Sequence, residues 1–494
     1  MAFRGLDQVG IPGIDRTTTR TLQNVEARDG RILGRGGIKK FKAITTVSPS
    51  TPILGLMAFM APSGATDVLR MTPTQVHKLN TGTNVWDDVT GTALAGNSST
   101  RPQWTNHKSV LCFTNEGSNR PRKYTGSGNT ADLGGTPPFS KAMTDYTGFL
   151  MLGNISTDGA TFFPRRIVYS EDFDVDWTTC EGNEINLEET NGEIRAMKPL
   201  GLILPVYKSD AVIGLRQVGG LVRFTQEKMR FDKGIEAPLS LAEIAELGHI
   251  FLGTDLELYL NQGSSFKALP PNVQKKLQET MDPAKAGQAV GQINPDRETY
   301  ELFYPASTAD TWSRGRISYN FRSGEFHHKL YDGHQFVRSL AFRFSNSVRY
   351  ALIASTNDLV YELDTSDAND DGTKIDRFYD TDWQHFGSTQ QKRLKGVDLV
   401  FKRSRNVRIK ISIALDYKEK FLFERSFNLI GRAGETDAVI EYVPPQPFKG
   451  TFFNLKVRMF HDATDKAELT AALFRWEPTG ERIKARENRQ AATV

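Results

Sequence analysis

No stretch of the 494 residues approaches the about 18 consecutive apolar residues that a membrane-crossing helix requires, so no helical span is expected. The first seventeen residues, MAFRGLDQVGIPGIDRT, lack the apolar segment of a secretory signal. Cysteine is scarce as well. Cys112 and Cys180 are too few for a disulfide framework and fit idle thiols of a protein made in a reducing cytoplasm. The signatures of common enzyme chemistry are also missing. The chain has no G-x-S-x-G elbow, no H-E-x-x-H zinc pair, no GxxxxGK[ST] phosphate loop and no dinucleotide fingerprint. His327 and His328 sit side by side with no third ligand at useful spacing, and Gly34-Arg35-Gly36-Gly37 opens no helix that could cradle a phosphate. Catalysis is therefore not expected. A propeller glycoside hydrolase or depolymerase stays open as an alternative, because nothing selects or excludes a particular pair among the many carboxylates.

What is present is short, turn-bounded apolar segments. In Gly201–Phe224, GLILPVYKSDAVIGLRQVGGLVRF, an apolar run, a polar break at Lys208-Ser209-Asp210, a second run at Ala211–Leu215, a Gly219-Gly220 turn and a third run at Leu221–Phe224 predict consecutive antiparallel strands. Looser copies recur at Ile53–Val89, Ser109–Tyr124, Gly148–Ser170, His249–Leu260, Thr299–Asn320 and Arg349–Leu363. Small sheets of this kind cannot bury both faces alone and must stack. A spacing of about 40–60 residues matches four-stranded blades arranged around an axis. The fold expected is all-β: a β-propeller of six or seven irregular blades over residues 46–374, with one short inserted helix. That helix is read at Pro270–Met281, where Val273, Leu277 and Met281 recur at i, i+4 and i+8 and should pack on the propeller rim.

After residue 374 the segments lengthen and alternate cleanly. Val407, Ile409, Ile411, Ile413 and Leu415 share one face while Arg408, Lys410 and Ser412 take the other, so residues 375–480 read as a β-sandwich-like platform. Residues 1–45 are extended, with an Asp29-Gly30 hairpin signal, and are assigned to strands joining that platform. Residues 481–494 are polar and read as a tail or arm.

Net charge is only +4, but its distribution is uneven. Residues 171–193 hold nine acids and no base, whereas residues 391–420 hold ten bases against three acids, a segregation suited to complementary faces. Two turns resemble known loops. Ser170 to Trp177 keeps the Ser, Asp and Trp of a sialidase-type propeller turn, with acids replacing its Gly and Thr. Asp367, Asn369 and Asp371 followed by Gly372 match the first half of a calcium loop and are the candidate metal ligands. The twelfth position, Phe378, cannot supply the closing carboxylate, and an acidic hairpin is the plainer reading. No cofactor is expected.

Leu22, Asn24, Val25, Asp29, Gly30, Arg31, Ile32, Arg35 and Gly37 together resemble the opening of the tail nozzle (tail hub) proteins of short-tailed bacteriophages, the packaged-DNA stabilisation family. Arg166 to Ser170 with Asp174 and Trp177 is similar to a blade turn of that family, Val206–Phe224 to the following strand pair, and Ile317–Phe326 to a late blade strand. The resemblance implies a propeller inserted in a platform and a homo-oligomeric ring of six copies in the virion tail, assembled in the host bacterial cytoplasm. Such a ring lies below the adaptor (the head-to-tail connector), carries fibre or needle proteins, and encloses a channel for non-specifically held double-stranded DNA released at ejection. On that reading the strands around Lys392, Arg393, Arg403, Arg405 and Arg408 are the candidate interface and meet acidic surfaces of neighbouring subunits. A monomeric receptor-binding propeller is the rival that shares the fold.

Overall fold

The computed structural model describes residues 19–28, 31–42, 51–61, 63–171, 177, 183–219, 223–230, 232–343, 349–381, 383–384, 386, 390–402, 407–418, 421–429, 437–444, 446–460 and 468–479. Five runs of four consecutive strands, within residues 55–88, 103–132, 139–186, 194–230 and 242–268, pair strand to strand in chain order and antiparallel. They are blades 1 to 5. Blade 6 begins with Val290–Asn294, Thr299–Tyr304 and Gly315–Asn320. Blade 7 consists of Phe336–Arg343, Arg349–Ser355 and Val360–Thr365, with Gly37–Lys40 from the N-terminal part of the chain as its fourth strand. The protein is all-β, and the propeller has seven blades.

The second strand of a blade lies between two neighbouring blades, so both its faces are buried and its sequence is a continuous apolar run. Phe149–Ser156, Thr299–Tyr304, Val110–Thr114 and Gly248–Leu252 are buried at every position. Some fourth strands face solvent, as Ala131–Asp132 and Glu184–Asn186 do, whereas that of blade 6, Phe326–Leu330, is buried at four of its five positions. The apolar clusters lie between blades. Tyr146, Phe149, Tyr169 and Phe224 gather where blade 3 meets blade 4, with Phe224 5.0 Å from Tyr169 and 5.5 Å from Phe149. The fourth strand of blade 4 runs Phe224–Arg230, beyond the run expected at Leu221–Phe224. Its polar sequence, TQEKMR after the phenylalanine, suits an outer edge and hides it from an apolar reading. Of that expected run, Leu221 and Val222 lie outside the described residues.

The helix forms at Pro271–Thr280, started by the proline at its first position, which fixes φ and lacks an N–H that would have no partner there. Val273, Leu277 and Met281 are buried, and the Gln274 side chain accepts from the Leu258 N–H and donates to the Leu258 and Leu269 carbonyls. The apolar stripe is thus used up within the propeller.

A second compact unit comprises residues 1–37, 325–329 and 366–494, and the propeller unit comprises 38–324 and 330–365. The second unit holds two sheets. One has the order Thr19–Gln23, Arg377–Thr381, Phe453–Phe460, Val407–Leu415, Phe423–Leu429. In the other, Val25–Arg28, Arg31–Gly34, Glu468–Pro478, Lys392–Lys402 and Asp437–Tyr442 follow one another, and Phe448–Gly450 pairs beside Lys392–Lys402. The inner faces meet: Phe423 of the first sheet stacks on Tyr442 of the second at 4.7 Å. Ile409, Ile411 and Ile413 are sealed in this core together with Leu399, Phe401, Leu455 and Val457. N-terminal strands therefore belong to both sheets of a sandwich otherwise built from the C-terminal part, and the propeller sequence is inserted between them. The expected N-terminal segment 1–45 is divided, because Ile38 to Lys40 are counted with blade 7. Four residues reading GIKK carry too little pattern to announce that strand.

Candidate functional site

Charged side chains occur in three settings, and the fold determines which. The first is buried pins. Arg316, fully buried on blade 6, donates through Nε to Glu301 at 2.6 Å and through Nη2 to Asp364 of blade 7 at 2.7 Å. Burial alone would lower its pKa, but the two carboxylates outweigh it and hold the guanidinium charged. Arg70 of blade 1 reaches Asp358 of blade 7 at 3.2 Å and lies 4.9 Å from the Trp86 ring. Between blades 4 and 5, Asn261 donates to the Tyr207 hydroxyl, which lies 2.9 Å from His249 Nδ1, and His249 Nε2 meets the Pro199 carbonyl at 3.0 Å. Burial first, and the Lys198 charge second, push the His249 pKa down to about 3, so the ring is neutral and Nε2–H is the donor.

The second setting is a cavity of about 690 Å³ in the propeller unit, lined by turns of blades 5, 6 and 7. It carries Glu243, Glu246, Asp296, Glu298, Glu362 and Asp364 against Arg297, Arg322 and Arg349. The three arginines are engaged with Asp364, Glu298 and Asp296 at 3.4, 3.0 and 2.6 Å, and Lys39 and Lys198 reach Glu362 and Glu243 from outside the lining at 3.9 and 3.7 Å, so most of its acids are matched by bases.

The third is the outer face of the five-stranded sheet. Strand alternation places Arg408, Lys410 and Ser412 outward on Val407–Leu415, and Lys456 and Arg458 outward on Phe453–Phe460. The register sets Lys410 directly opposite Arg458, and Ser412 opposite Lys456. Like charges facing across a ladder are unfavourable. Partial relief comes from Glu424, 2.7 Å from Lys410, and from Asp376, 3.0 Å from Arg458. Phe378 lies under Lys456 at 3.9 Å, and Phe460 lies 5.9 Å from Arg408. The result is a basic band with aromatic rings between the charges.

The expected interface residues scatter when set against this band. Arg408 is on it. Arg393 belongs to the other sheet and, with Lys395, shares Glu477 at 3.4 and 3.1 Å. Lys392 is buried, its Nζ donating to the Gln390 carbonyl at 2.9 Å and lying 5.7 Å from the Trp476 ring. Arg403 and Arg405 lie outside the described residues. Lys456 and Arg458 were missed, although the alternation in FNLKVRMF already placed them together on the polar face.

The expected calcium ligands fall on a tight hairpin. Asn369–Asp370 pairs with Thr373–Lys374, and the turn residues Asp371 and Gly372 have φ of +45° and +92°, the left-handed pair of a two-residue hairpin. The Asn369 side chain accepts from the Gly372 N–H at 2.9 Å. Between two of the proposed ligands, Asp370 is buried on Arg35 with oxygens at 2.5 and 2.8 Å. Among the described residues, no group of three or more His, Cys, Asp or Glu is placed to hold a metal. Trp177 packs with Cys112, Leu133 and Met143 between blades 2 and 3, while residues 172–176 of its turn, and Cys180, lie outside the described residues.

Neither a family model nor a curated protein matches the chain. Solved structures match part of the chain. The WD40 domain of Neurospora crassa Pan2 is 8% identical, covers 67% of this chain and 96% of its own, with a TM-score of 0.41. YCF48 from Cyanidioschyzon merolae is 10% identical over 66% of this chain and 98% of its own, at 0.42. AztD of Citrobacter koseri is 12% identical over 64% and 87%, at 0.36. Each aligns with about two thirds of the chain.

Proposed function

We propose that the chain is a structural subunit of a short-tailed bacteriophage tail, a nozzle or hub protein that forms a ring, extends the DNA channel below the head-to-tail connector, and takes part in genome retention and ejection. The observation that carries this reading is the insertion topology. Strands Thr19–Gln23, Val25–Arg28 and Arg31–Gly34 are woven into both sheets of a C-terminal sandwich, with the whole propeller sequence between them. That is the arrangement implied by the family the sequence resembles.

Charge placement supports the same reading. The band of Arg408, Lys410, Lys456 and Arg458 carries repulsion that an acidic partner surface would relieve. An acidic surface elsewhere on the same chain, used between copies, would give a head-to-tail contact, and such a contact closes into a ring where the rotation between copies permits. Packaged DNA then occupies the channel without sequence-specific contacts.

The test is charge reversal on the band, Lys410→Glu with Arg458→Glu. Tail assembly or attachment should fail while the purified chain keeps the thermal transition of the wild type. Unaltered particles would refute the interface. Release of sugar from host polysaccharide by the purified chain would instead favour a hydrolase.

A further inference from the structure

Most buried arginines of the propeller have a carboxylate; Arg338 does not. It lies on Phe336–Arg343, the first strand of blade 7, at a point where the pairing with Arg349–Ser355 slips by one residue. Phe336 faces Ser355 and Arg338 faces Ala354, so Val337 is the extra residue, and the bulge re-aims the side chain that follows it. Arg338 is partly buried as a whole, but its Nε and Nη1 are shut off from solvent and have no hydrogen-bond partner. Among the described residues no ion pair engages it. The charge acting on it is another cation, Arg101, and burial first with Arg101 second pushes the Arg338 pKa down to about 10. It remains cationic at neutral pH.

Arg101 is brought there by architecture. The Ser313–Phe336 bridge, N–H to O at 3.1 and 2.8 Å in the two directions, pins the connection between two blade 6 strands against the start of blade 7. Next to that bridge, Trp312 packs with Leu54 and Val337 and presents its ring to the Arg101 guanidinium at 4.7 Å. Arg101 precedes the first strand of blade 2, so blades 2, 6 and 7 converge on one point. Its Nη1 is spent on the carbonyls of Ser99 and Thr100 at 2.8 and 3.1 Å. Its backbone N–H donates to Glu116 at 2.6 Å. Ser313 Oγ, also buried, lacks a partner.

A guanidinium with two of its three nitrogens shut off from water and no counter-charge is costly for a folded chain to contain. Replacing it with an apolar residue would remove the cost, so an arginine here makes sense if something anionic comes to it. We propose that this junction is a binding site for a small oxyanion, phosphate or a carboxylate, which accepts from Arg338 with Arg101 as the second cation. Such an anion supplies the missing hydrogen-bond acceptor and the missing negative charge, and a planar guanidinium suits both kinds of oxyanion. Occupancy would tie blades 2, 6 and 7 together, and ligand binding to the folded state raises its apparent stability.

The test uses the full chain, melted in chloride, in inorganic phosphate and in acetate at matched pH and ionic strength, as wild type, Arg338→Met and Arg338→Lys. Phosphate should raise the wild-type midpoint by a few degrees more than it raises that of Arg338→Met, with Arg338→Lys in between. In chloride, Arg338→Met should melt no lower than wild type. A response to acetate equal to that with phosphate assigns the site to carboxylates, and a smaller one assigns it to phosphate. General salting effects act on all three proteins alike, so the same phosphate response in wild type and Arg338→Met overturns the proposal. Calorimetric titration of the wild type with inorganic phosphate gives a reading independent of any variant. Saturable binding at one site supports the proposal, and its absence overturns it.

Discussion

The interior of the propeller and the open sheet face of the sandwich use charge in opposite ways. In the propeller, cations are sunk between blades and met by carboxylates, as Arg316 is by Glu301 and Asp364 and Arg70 is by Asp358. On the five-stranded sheet of the sandwich, Lys410 and Arg458 stand opposite each other on an open face, with more base than acid around them. A buried pin fixes which blade follows which. An exposed band of one sign adds nothing to the fold and is suited to a partner. The difference separates charge that builds the molecule from charge that the molecule presents.

The largest effect should follow from breaking a pin. Asp364→Ala leaves buried Arg316 with Glu301 alone and removes a partner of half-buried Arg297, and it should cost about 3 kcal/mol of stability by denaturant titration. A loss near zero would mean that the pins are no different from surface pairs. Next comes Gly37→Ala in the sandwich unit. A Cβ at Gly37 would lie 1.8 Å from the Asn369 carbonyl oxygen, so the hairpin must move, at a cost of about 1–3 kcal/mol. A wild-type melting temperature for this variant would contradict the close approach.

The third test is pH. His249 has a folded-state pKa of about 3, below the 6.5 of an ordinary histidine, so its contribution is present above pH 6.5 and is lost as pH falls from there towards 3. Wild-type stability should therefore decline on acidification by up to about 1.4 kcal/mol per pH unit from this group. His249→Gln should show a shallower slope over that window. An unchanged slope would mean that His249 is protonated in the folded protein. The smallest effect belongs to the band: Glu424→Ala removes one exposed partner of Lys410 and should change stability by only about 0–1 kcal/mol. A large loss there would erase the contrast between the two regions.

Legibility of the sequence followed burial. Second strands such as Phe149–Ser156 are apolar on both faces and stand out as runs, which is why seven clusters of segments could be found by reading. Outer strands such as Glu184–Asn186, which is short, and Phe224–Arg230, which is polar after its phenylalanine, carried little apolar signal. Gly37–Lys40 was harder still, because its pairing partner in blade 7 lies more than three hundred positions away. For the candidate site, alternation alone could place Arg408 with Lys410, and Lys456 with Arg458. Only the register between Val407–Leu415 and Phe453–Phe460 could merge the two pairs into one band. Lys392 shows the converse, since a basic residue in a basic run was read as surface, yet it is buried beside Trp476. Arg338 could not be singled out at all, because a missing counter-charge is a property of three blades together.

The central claim, that this chain is a part for assembly and not a catalyst, is tested most directly by locating and counting it in purified tailed particles, by averaged electron images together with quantified copy number. The account predicts a ring of six copies around the DNA channel below the connector. A chain absent from such particles, or present as isolated monomers at fibre tips, would contradict it.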